Sequence, residues 1–517
     1  MISHLSPSFK RPGGISNLNE TAKDLPGMNI AELIGNQVRI RPEHPAVEFE
    51  GRVYSYAAID RLTNQFALYL NSKDVNAGDV IALVLESGPE LLIATLGSFK
   101  AGVIPNVVNA MLRPEEVQTV VSDSEAVLLI TSPEREAAIK SVRMQLGVKE
   151  VLLTGSTFEA ALEGASDRFE MSSMRPDTVA CLLYTSGTTG QPKGVMLTHL
   201  NIIDNATQFA RVHFGSEDRV LVAAPLFHCW GLINGVLGIF AAGGTAIVVR
   251  RFKAEPILEL IESARPTQFL GVPAMVNHLS RSPAVTACDL SSLKIVHSAA
   301  APMPGELIDT LQRDWKVGYA ESYGLTEVSP VITTTPANQT RAGSCGRAMG
   351  DTELKVVDND GRSLPVGGVG ELWARGTAVS AGYFKKPEAT AEVFVAGGWF
   401  RTGDVVRMDE QGYVYIVDRI KDMINVGGEK VYPRDVEEVL FRHPSIADAL
   451  VVGKADPVLG EVPRAVIALK PGSKLSGEEV IAYLRPKLAS FKIPREVQFV
   501  DAVPRSASGK ALRRILR

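Results

Sequence analysis

Tyr184-Thr185-Ser186-Gly187-Thr188-Thr189-Gly190-Gln191-Pro192-Lys193-Gly194 completes an apolar run that begins at Val179. Five hydroxyl side chains, three glycines and one lysine fall within these eleven residues. Glycines let backbone N–H groups turn toward an anion, hydroxyls add donors for phosphate oxygens, and Lys193 supplies positive charge. Neither GxxxxGKS nor GxxxxGKT can be drawn through the stretch, so it is not the common P-loop. Composition alone leaves two readings level: a phosphate cradle and a flexible Ser/Thr/Gly surface loop. The ordered ending Pro192-Lys193-Gly194 favours the cradle.

Working outward, strand and helix signals alternate from Asn29 onward. Val47–Phe49 and Val53-Tyr54 read as a hairpin around Glu50-Gly51. Ile59, Leu62, Phe66, Tyr69 and Leu70 share one helical face. Strands are expected at 79–85, from 102, and at 126–130, 151–153, 180–184, 219–223 and 245–249, with a helix at 90–100. This rhythm predicts an α/β fold with helix-covered parallel sheets. Near Gly343 short strands and Gly/Pro turns take over, which marks a small β-rich subdomain at about 343–417. The last stretch reads as α+β, with strands at 449–452 and 464–469 and helices after Tyr432-Pro433 and over 476–488. The expected organisation is a lead-in (1–28), a large domain (29–417), a candidate hinge in a charged seam (418–423) and a smaller C-terminal domain (424–517).

The 517 residues are too many for one core, and 45% hydrophobic with 22% charged is ordinary for a globular protein. A formal net charge of −4 gives no nucleic-acid footprint. The N-terminus lacks the apolar stretch of a signal peptide, and no run of 18 apolar residues occurs, so no membrane span is expected. Cys181, Cys229, Cys288 and Cys345 form no CxxC pair; reduced thiols in a cytoplasmic enzyme are expected.

The phosphate-loop string closely resembles the signature of the adenylate-forming superfamily, which includes acyl-CoA synthetases, aryl-CoA ligases, beetle luciferases and the adenylation domains of nonribosomal peptide synthetases. Further motifs match in order: Pro225-Leu226-Phe227-His228, Ser298-Ala299-Ala300-Ala301-Pro302, Tyr323-Gly324-Leu325-Thr326-Glu327, Gly370-Glu371-Leu372, Trp399 through Asp404, Asp418-Arg419-Ile420-Lys421-Asp422 with Gly427-Gly428-Glu429-Lys430, and Pro504 through Lys510. The resemblance covers nearly the whole chain. It implies that a carboxylic acid attacks ATP to give an acyl-adenylate and pyrophosphate, and that the thiol of coenzyme A then displaces AMP.

The same resemblance implies residue roles. Thr185, Ser186, Gly187, Thr188, Thr189, Gly190 and Lys193 would hold phosphates, and Thr326 would join them. Ala299, Ala300, Ala301, Pro302, Tyr323 and Gly324 would form the adenine wall, with Tyr323 stacked on the base. Asp404 would accept from the ribose hydroxyls, and Arg419 would bind ribose or phosphate oxygens. Glu327 would hold Mg²⁺, a hard cation that keeps oxygen ligands. Lys510 is the expected catalytic lysine, bridging carboxylate and α-phosphate, and Lys421 marks the hinge about which a mobile C-terminal domain, 424–517, would rotate between the two steps. Gly427, Gly428, Glu429 and Lys430 would face the coenzyme A channel. Taken singly, each has a plainer reading: exposed carboxylate, turn aspartate, surface ion pair, core aromatic or tail lysine.

Phe227, His228, Trp230, Gly231, Gly235, Val272, Ser298 and Ala299 are expected to shape the acyl pocket, with His228 at its junction with the nucleotide. Ala299 stands where the family often has glycine. The remaining histidines lack any clustered partner in the sequence and read as structural. Amino-acid-activating relatives carry an aspartate near this pocket; His228-Cys229 stands in that neighbourhood here, which disfavours amino acids and leaves an aliphatic or aryl acid. Only seven residues follow Lys510, which favours a free thiol as acceptor. An acyl-AMP ligase that loads a separate carrier protein is the alternative, and a binding protein without turnover is a third possibility. Oligomeric state, a homodimer included, stays open.

Overall fold

The computed structural model describes residues 27–171, 173–186, 191–337, 339–505 and 512–516. Its first sheet has six strands in the order 150–153, 128–131, 80–85, 104–109, 179–186 and 192–198. Val80–Leu85 reads VIALVL and is buried at every position, as expected for a parallel strand covered on both faces. Alternation divides it between two cores. Ile81, Leu83 and Leu85 join the largest apolar cluster, whereas Val80, Ala82 and Val84 join a smaller one built with Val117, Val120 and Val121 of helix Pro114–Asp123.

The second sheet has nine strands in the order 347–348, 331–334, 318–324, 295–298, 268–271, 219–222, 245–248, 45–49 and 52–55. It divides its faces in the same way. Val220, Val222 and Leu270 face the large cluster; Leu221, Ile247, Phe269 and Val296 face an outer one. Helices Tyr56–Ser72, Pro89–Ala101 and His199–His213 contribute Phe66, Phe99 and Phe209 to the large cluster, so they lie between the two sheets. The expected hairpin at Glu50-Gly51 is present, with Glu48 opposite Val53.

Two local features go beyond the sequence reading. The glycine-rich stretch joins two strands of one hairpin. Val179–Ser186 and Pro192–Thr198 pair antiparallel, with Ser186 opposite Pro192 and Thr185 opposite Lys193. The reason lies downstream: Val195, Met196 and Leu197 are buried as strand residues, and the helix signal comes only at Thr198. Its hydroxyl accepts from Asn201 N at 3.2 Å while Asn201 Oδ1 accepts from Thr198 N at 2.9 Å. The second is Trp230–Leu237, which is wound as a π-helix before Gly238–Ala242 continues as α-helix.

A third sheet joins 353–357, 369–375, 394–395, 399–408 and 414–419, all antiparallel. The fourth contains 429–431, 424–426, 460–469, 446–456 and 496–499. Helices Pro433–Phe441 and Gly477–Leu484 close an apolar cluster of their own with it. The second helix stops four residues short of Leu488 because Pro486 cannot continue it.

Candidate functional site

The Tyr-Gly-Leu-Thr-Glu motif leaves strand Gly318–Gly324 and enters a short turn, Thr326–Val328. At Gly324 a Cβ would lie 1.7 Å from the Pro330 carbonyl oxygen, so only glycine fits there. The motif delivers two groups, Tyr323 from the strand and Glu327 from the turn, each to its own partners.

On one side, the Tyr323 hydroxyl donates to Asp404 Oδ2 at 2.6 Å, and Arg419 Nε lies 2.9 Å from Asp404 Oδ1. Asp404 and Arg419 are register neighbours on strands Trp399–Met408 and Val414–Arg419. Thr402 braces the turn, donating to Leu372 O at 2.7 Å and accepting from Asp404 N at 3.1 Å. Burial, and then the Asp404 charge, push the Tyr323 hydroxyl well above its usual range. Asp404 likewise holds the Arg419 guanidinium above its usual value. Each carboxylate oxygen has two lone pairs, so each keeps capacity for a ligand hydroxyl. Tyr323 is thereby fixed through its hydroxyl, a constraint the sequence does not announce.

On the other side, Glu327 Oε1 accepts from the Tyr383 hydroxyl at 2.9 Å, and Lys193 Nζ lies 5.0 Å from the centre of the Tyr383 ring. The phosphate-loop lysine and the expected metal carboxylate thus meet on one tyrosine that sequence reasoning passed over. From the same two segments, Tyr184 OH donates to Asp123 Oδ2 at 2.7 Å, and Lys386 Nζ reaches Asp123 Oδ1 at 2.8 Å. Among the described residues, no three His, Cys, Asp or Glu side chains converge in a way that could hold a metal ion. A single carboxylate suits magnesium, which takes its other ligands from phosphate oxygens and water.

His228 lies in the turn that follows strand Arg219–Val222. Its Nδ1 accepts from Trp230 N at 3.2 Å, which leaves Nε2 to carry the proton of the neutral ring. Cys229 Sγ is 3.6 Å from Thr326 Oγ1, so this turn abuts the Tyr-Gly-Leu-Thr-Glu motif. Trp230 is buried edge-on to Phe209, with Nε1 donating to Gly271 O at 2.9 Å. Gly231 and Gly235 face packed protein: a Cβ at Gly231 would lie 2.5 Å from the carbonyl oxygens of Ala224 and Pro225, and one at Gly235 would lie 2.9 Å from Val222 Cγ1. Val272 and Ser298 are buried. Alternation puts Ser298 on the Val296 face and His297, with its Phe209 contact, on the Trp230 face. Ser298 and Trp230 therefore lie on opposite faces of the sheet. Phe227 is half-buried beside the large cluster.

After Ser298 the chain turns through Ala299, Ala300, Ala301 and Pro302. Ala300 has φ +72°, a left-handed conformation that costs an alanine about 1–2 kcal/mol. The sequence drew attention to the Ala299 methyl; the strained residue is its neighbour. Beneath this turn lies Glu321, also passed over. It accepts from Tyr319 OH at 2.7 Å, and burial raises its carboxyl from 4.5 to about 7, against smaller opposing effects from Tyr319, Arg434 and the Met303 backbone. One further expectation needs correction. His213 and His297 are not isolated: their rings stack edge-on at 4.8 Å, His213 Nε2 pairs with Thr334 Oγ1, and burial holds both rings below their usual pKa. Their place in a packed core keeps the structural reading.

In the hinge stretch, Asp418 is buried, accepts from Arg434 N at 3.0 Å, and is raised to about 6 by that burial. Lys421 belongs to the turn Ile420–Asp422. Arg513 reaches both oxygens of Glu437 at 2.7 Å and lies 3.6 Å from Asp422. Gly427 and Gly428 have φ +60° and +98° and connect strands 424–426 and 429–431. That hairpin turn alone requires glycines. Glu429 and Lys430 are exposed beside it. Thr185 and Ser186 end their strand; Gly187, Thr188, Thr189, Gly190 and Lys510 lie outside the described residues. No helix among those described is long and apolar enough to cross a membrane.

This fold and site define an adenylate-forming enzyme: the AMP-binding enzyme family model matches residues 35–384 and its C-terminal domain model residues 435–510, and the chain belongs to that family. It is 35% identical to a feruloyl-CoA synthase from Amycolatopsis sp over 92% of this chain and 96% of that one. The anthranilate CoA ligase AuaEII in complex with anthranoyl-AMP superposes with a TM-score of 0.91 at 27% identity, covering 96% of this chain and 98% of the other. ATP-bound MatB from Rhodopseudomonas palustris gives 0.88 at 30% identity, covering 95% and 98%. Apo MatB, with the same identity and coverage, gives 0.78.

Proposed function

We propose that this protein is an ATP-dependent acid–CoA ligase acting on an aryl or aliphatic carboxylic acid. The observation that carries the reading is the convergence at one turn: Tyr323 leads to Asp404 and Arg419, and Glu327 leads through Tyr383 to Lys193. The first set suits a ribose and the second a polyphosphate. The higher similarity to ATP-bound than to apo MatB supports an arrangement suited to the first half-reaction.

In that half-reaction a carboxylate oxygen attacks the α-phosphorus of ATP and pyrophosphate leaves. Asp404 accepts the ribose hydroxyls. Lys193 and the hydroxyls of Thr185 and Ser186 hold the phosphates, with Thr326 beside them. Glu327 would hold a magnesium ion, which would supply charge neutralisation for the phosphates. His228 orients the acid where the acyl pocket meets the nucleotide. Lys510 bridges carboxylate and α-phosphate, and its positioned positive charge stabilises the transition state. Rotation at Lys421 then withdraws Lys510 and brings Gly427–Lys430 toward the incoming thiol. The thiolate attacks the acyl carbon, and AMP leaves.

The four cysteines are free thiols and fit a reducing, cytoplasmic setting. The test is pyrophosphate exchange across a panel of aryl and aliphatic acids, followed by coenzyme A with mass detection of the product. An acyl-CoA product is expected. Acyl-adenylate without thioester points to a carrier protein as acceptor, and silence across the panel with tight ATP binding overturns the enzymatic reading.

A further inference from the structure

We propose that Tyr383 is a positioning residue for the triphosphate site, its hydroxyl fixing the Glu327 carboxylate and its ring seating Lys193. The proposal rests on the adenylation reading above. The hydroxyl donates to Glu327 Oε1 at 2.9 Å, and the Lys193 ammonium lies 5.0 Å from the ring centre, in reach of the negative face of the ring. A tyrosine that only filled space would need neither contact.

The backbone around Tyr383 is held on three sides. Residues 381–384 lie along the return strand of the phosphate hairpin: Ala381 N donates to Met196 O at 3.0 Å, Met196 N to Gly382 O at 2.9 Å, and Phe384 N to Gly194 O at 2.7 Å. Val195 and Tyr383 form a β-bridge. Ser380 N donates to the Glu327 carbonyl at 2.9 Å, which ties the same segment to the turn carrying the carboxylate. From the third side, Tyr383 N donates to Thr390 Oγ1 at 3.0 Å. Gly382, at φ +110°, packs so closely on Thr390 that a Cβ would meet its Cγ2 at 2.6 Å.

The consequence is a division of labour. With Oε1 committed to the phenol, Glu327 is held in one rotamer and Oε2 is left for a cation. Hydrogen bonds of this kind, made to a metal ligand from behind, set its orientation, and losing one weakens metal binding by 10- to 100-fold. Because the phenol and the ring act on different partners, they separate by substitution. Tyr383→Phe removes only the hold on Glu327, while Tyr383→Leu also removes the seat of Lys193.

The experiment is calorimetric titration of ATP into the full chain, once with Mg²⁺ and once with EDTA, alongside pyrophosphate exchange at varied Mg²⁺. For Tyr383→Phe the affinity for ATP with Mg²⁺ falls about tenfold, affinity in EDTA stays within about twofold, and the Mg²⁺ concentration for half-maximal exchange rises about tenfold. For Tyr383→Leu the affinity in EDTA falls as well. Equal losses with and without Mg²⁺ in Tyr383→Phe, or no loss, overturn the proposal. If the variants do not fold, 3-fluorotyrosine placed at position 383 answers through its ¹⁹F signal. A shift on adding ATP with Mg²⁺ but not with ATP and EDTA is expected, and no difference between the two overturns the assignment. If the unaltered protein catalyses no exchange with any acid yet shows these binding differences, the catalytic reading fails and the positioning role stands.

Discussion

The proposed nucleotide half and the proposed acyl half of this site are built by different means. In the nucleotide half, polar side chains fix one another: Tyr323 and Arg419 share Asp404, Tyr383 joins Glu327 to Lys193, and Tyr184 meets Lys386 on Asp123. In the acyl half, backbone packing does the work. Gly231 and Gly235 let the π-helical run press against the Ala224 and Pro225 carbonyls and Val222, and Trp230 locks that run to Gly271. A polar lattice depends on residue type at each position, so it leaves a string of recognisable letters. A packed wall depends on volume, which many sequences satisfy. On the proposed reading, common chemistry and individual acid preference fall to different kinds of structure.

Breaking the nucleotide half has the largest effect. Lys510→Ala is expected to lower adenylation by about 10²–10³ while sparing thioester formation from a supplied acyl-adenylate. Pyrophosphate exchange and thiol transfer are measured separately, and equal loss of both would remove the two-conformation scheme. Next comes Asp404→Asn, which keeps the shape but removes the charge facing Arg419. Hydrogen bonds to a charged group contribute about 1.5–3 kcal/mol, so AMP is expected to bind about 10- to 100-fold more weakly, with the KM for the acid little changed. A comparable rise in acid KM would mean that the two halves are not separable.

Gly231→Ala probes the other half. Its Cβ meets two carbonyl oxygens at 2.5 Å, and overpacking of this kind costs about 1–3 kcal/mol. The π-helical run must shift, so the KM for the acid is expected to rise several-fold while ATP affinity holds within about twofold. Calorimetry and a KM series on one acid check this. An unchanged acid KM beside a lower melting temperature would reduce Gly231 to a packing glycine with no bearing on substrate.

Legibility in the sequence follows the same line. Strand Val80–Leu85 was readable as an unbroken apolar run and helix Tyr56–Ser72 by its apolar period. Asp404, Arg419, Glu327 and Lys193 were readable as letters in ordered motifs, though not as neighbours. The hairpin that carries the phosphate loop was not legible, because Gly, Pro and hydroxyl residues crowd its turn, and the helix begins only after the Thr198 cap. Tyr383 and Glu321 carried no signal, since a tyrosine after glycine and a glutamate in a strand are ordinary until their partners are seen. Ala300 was equally silent, because alanine gives no hint of a left-handed backbone.

Glu321 offers the smallest and most discriminating test, because it lies under the turn between the two halves. Its carboxyl is raised from 4.5 to about 7, chiefly by burial, with Tyr319 and Arg434 opposing. In the unfolded chain it titrates near 4.5. Between those values the folded protein holds a proton that the unfolded chain has released, so this group's contribution is fully present below about pH 4.5 and is lost as pH rises through about 7. Glu321→Gln keeps an acceptor for Tyr319 but cannot ionise. The variant is therefore expected to gain on the parent protein across that window, by about 1–2 °C in melting temperature at pH 8, with the gap closing toward pH 5. Asp418, raised to about 6, supplies a similar but separate slope at the hinge that Glu321→Gln leaves in place. If the gap instead keeps one size at every pH, Glu321 is held by its hydrogen bond rather than by its proton, and the turn above it belongs with the polar lattice of the nucleotide half.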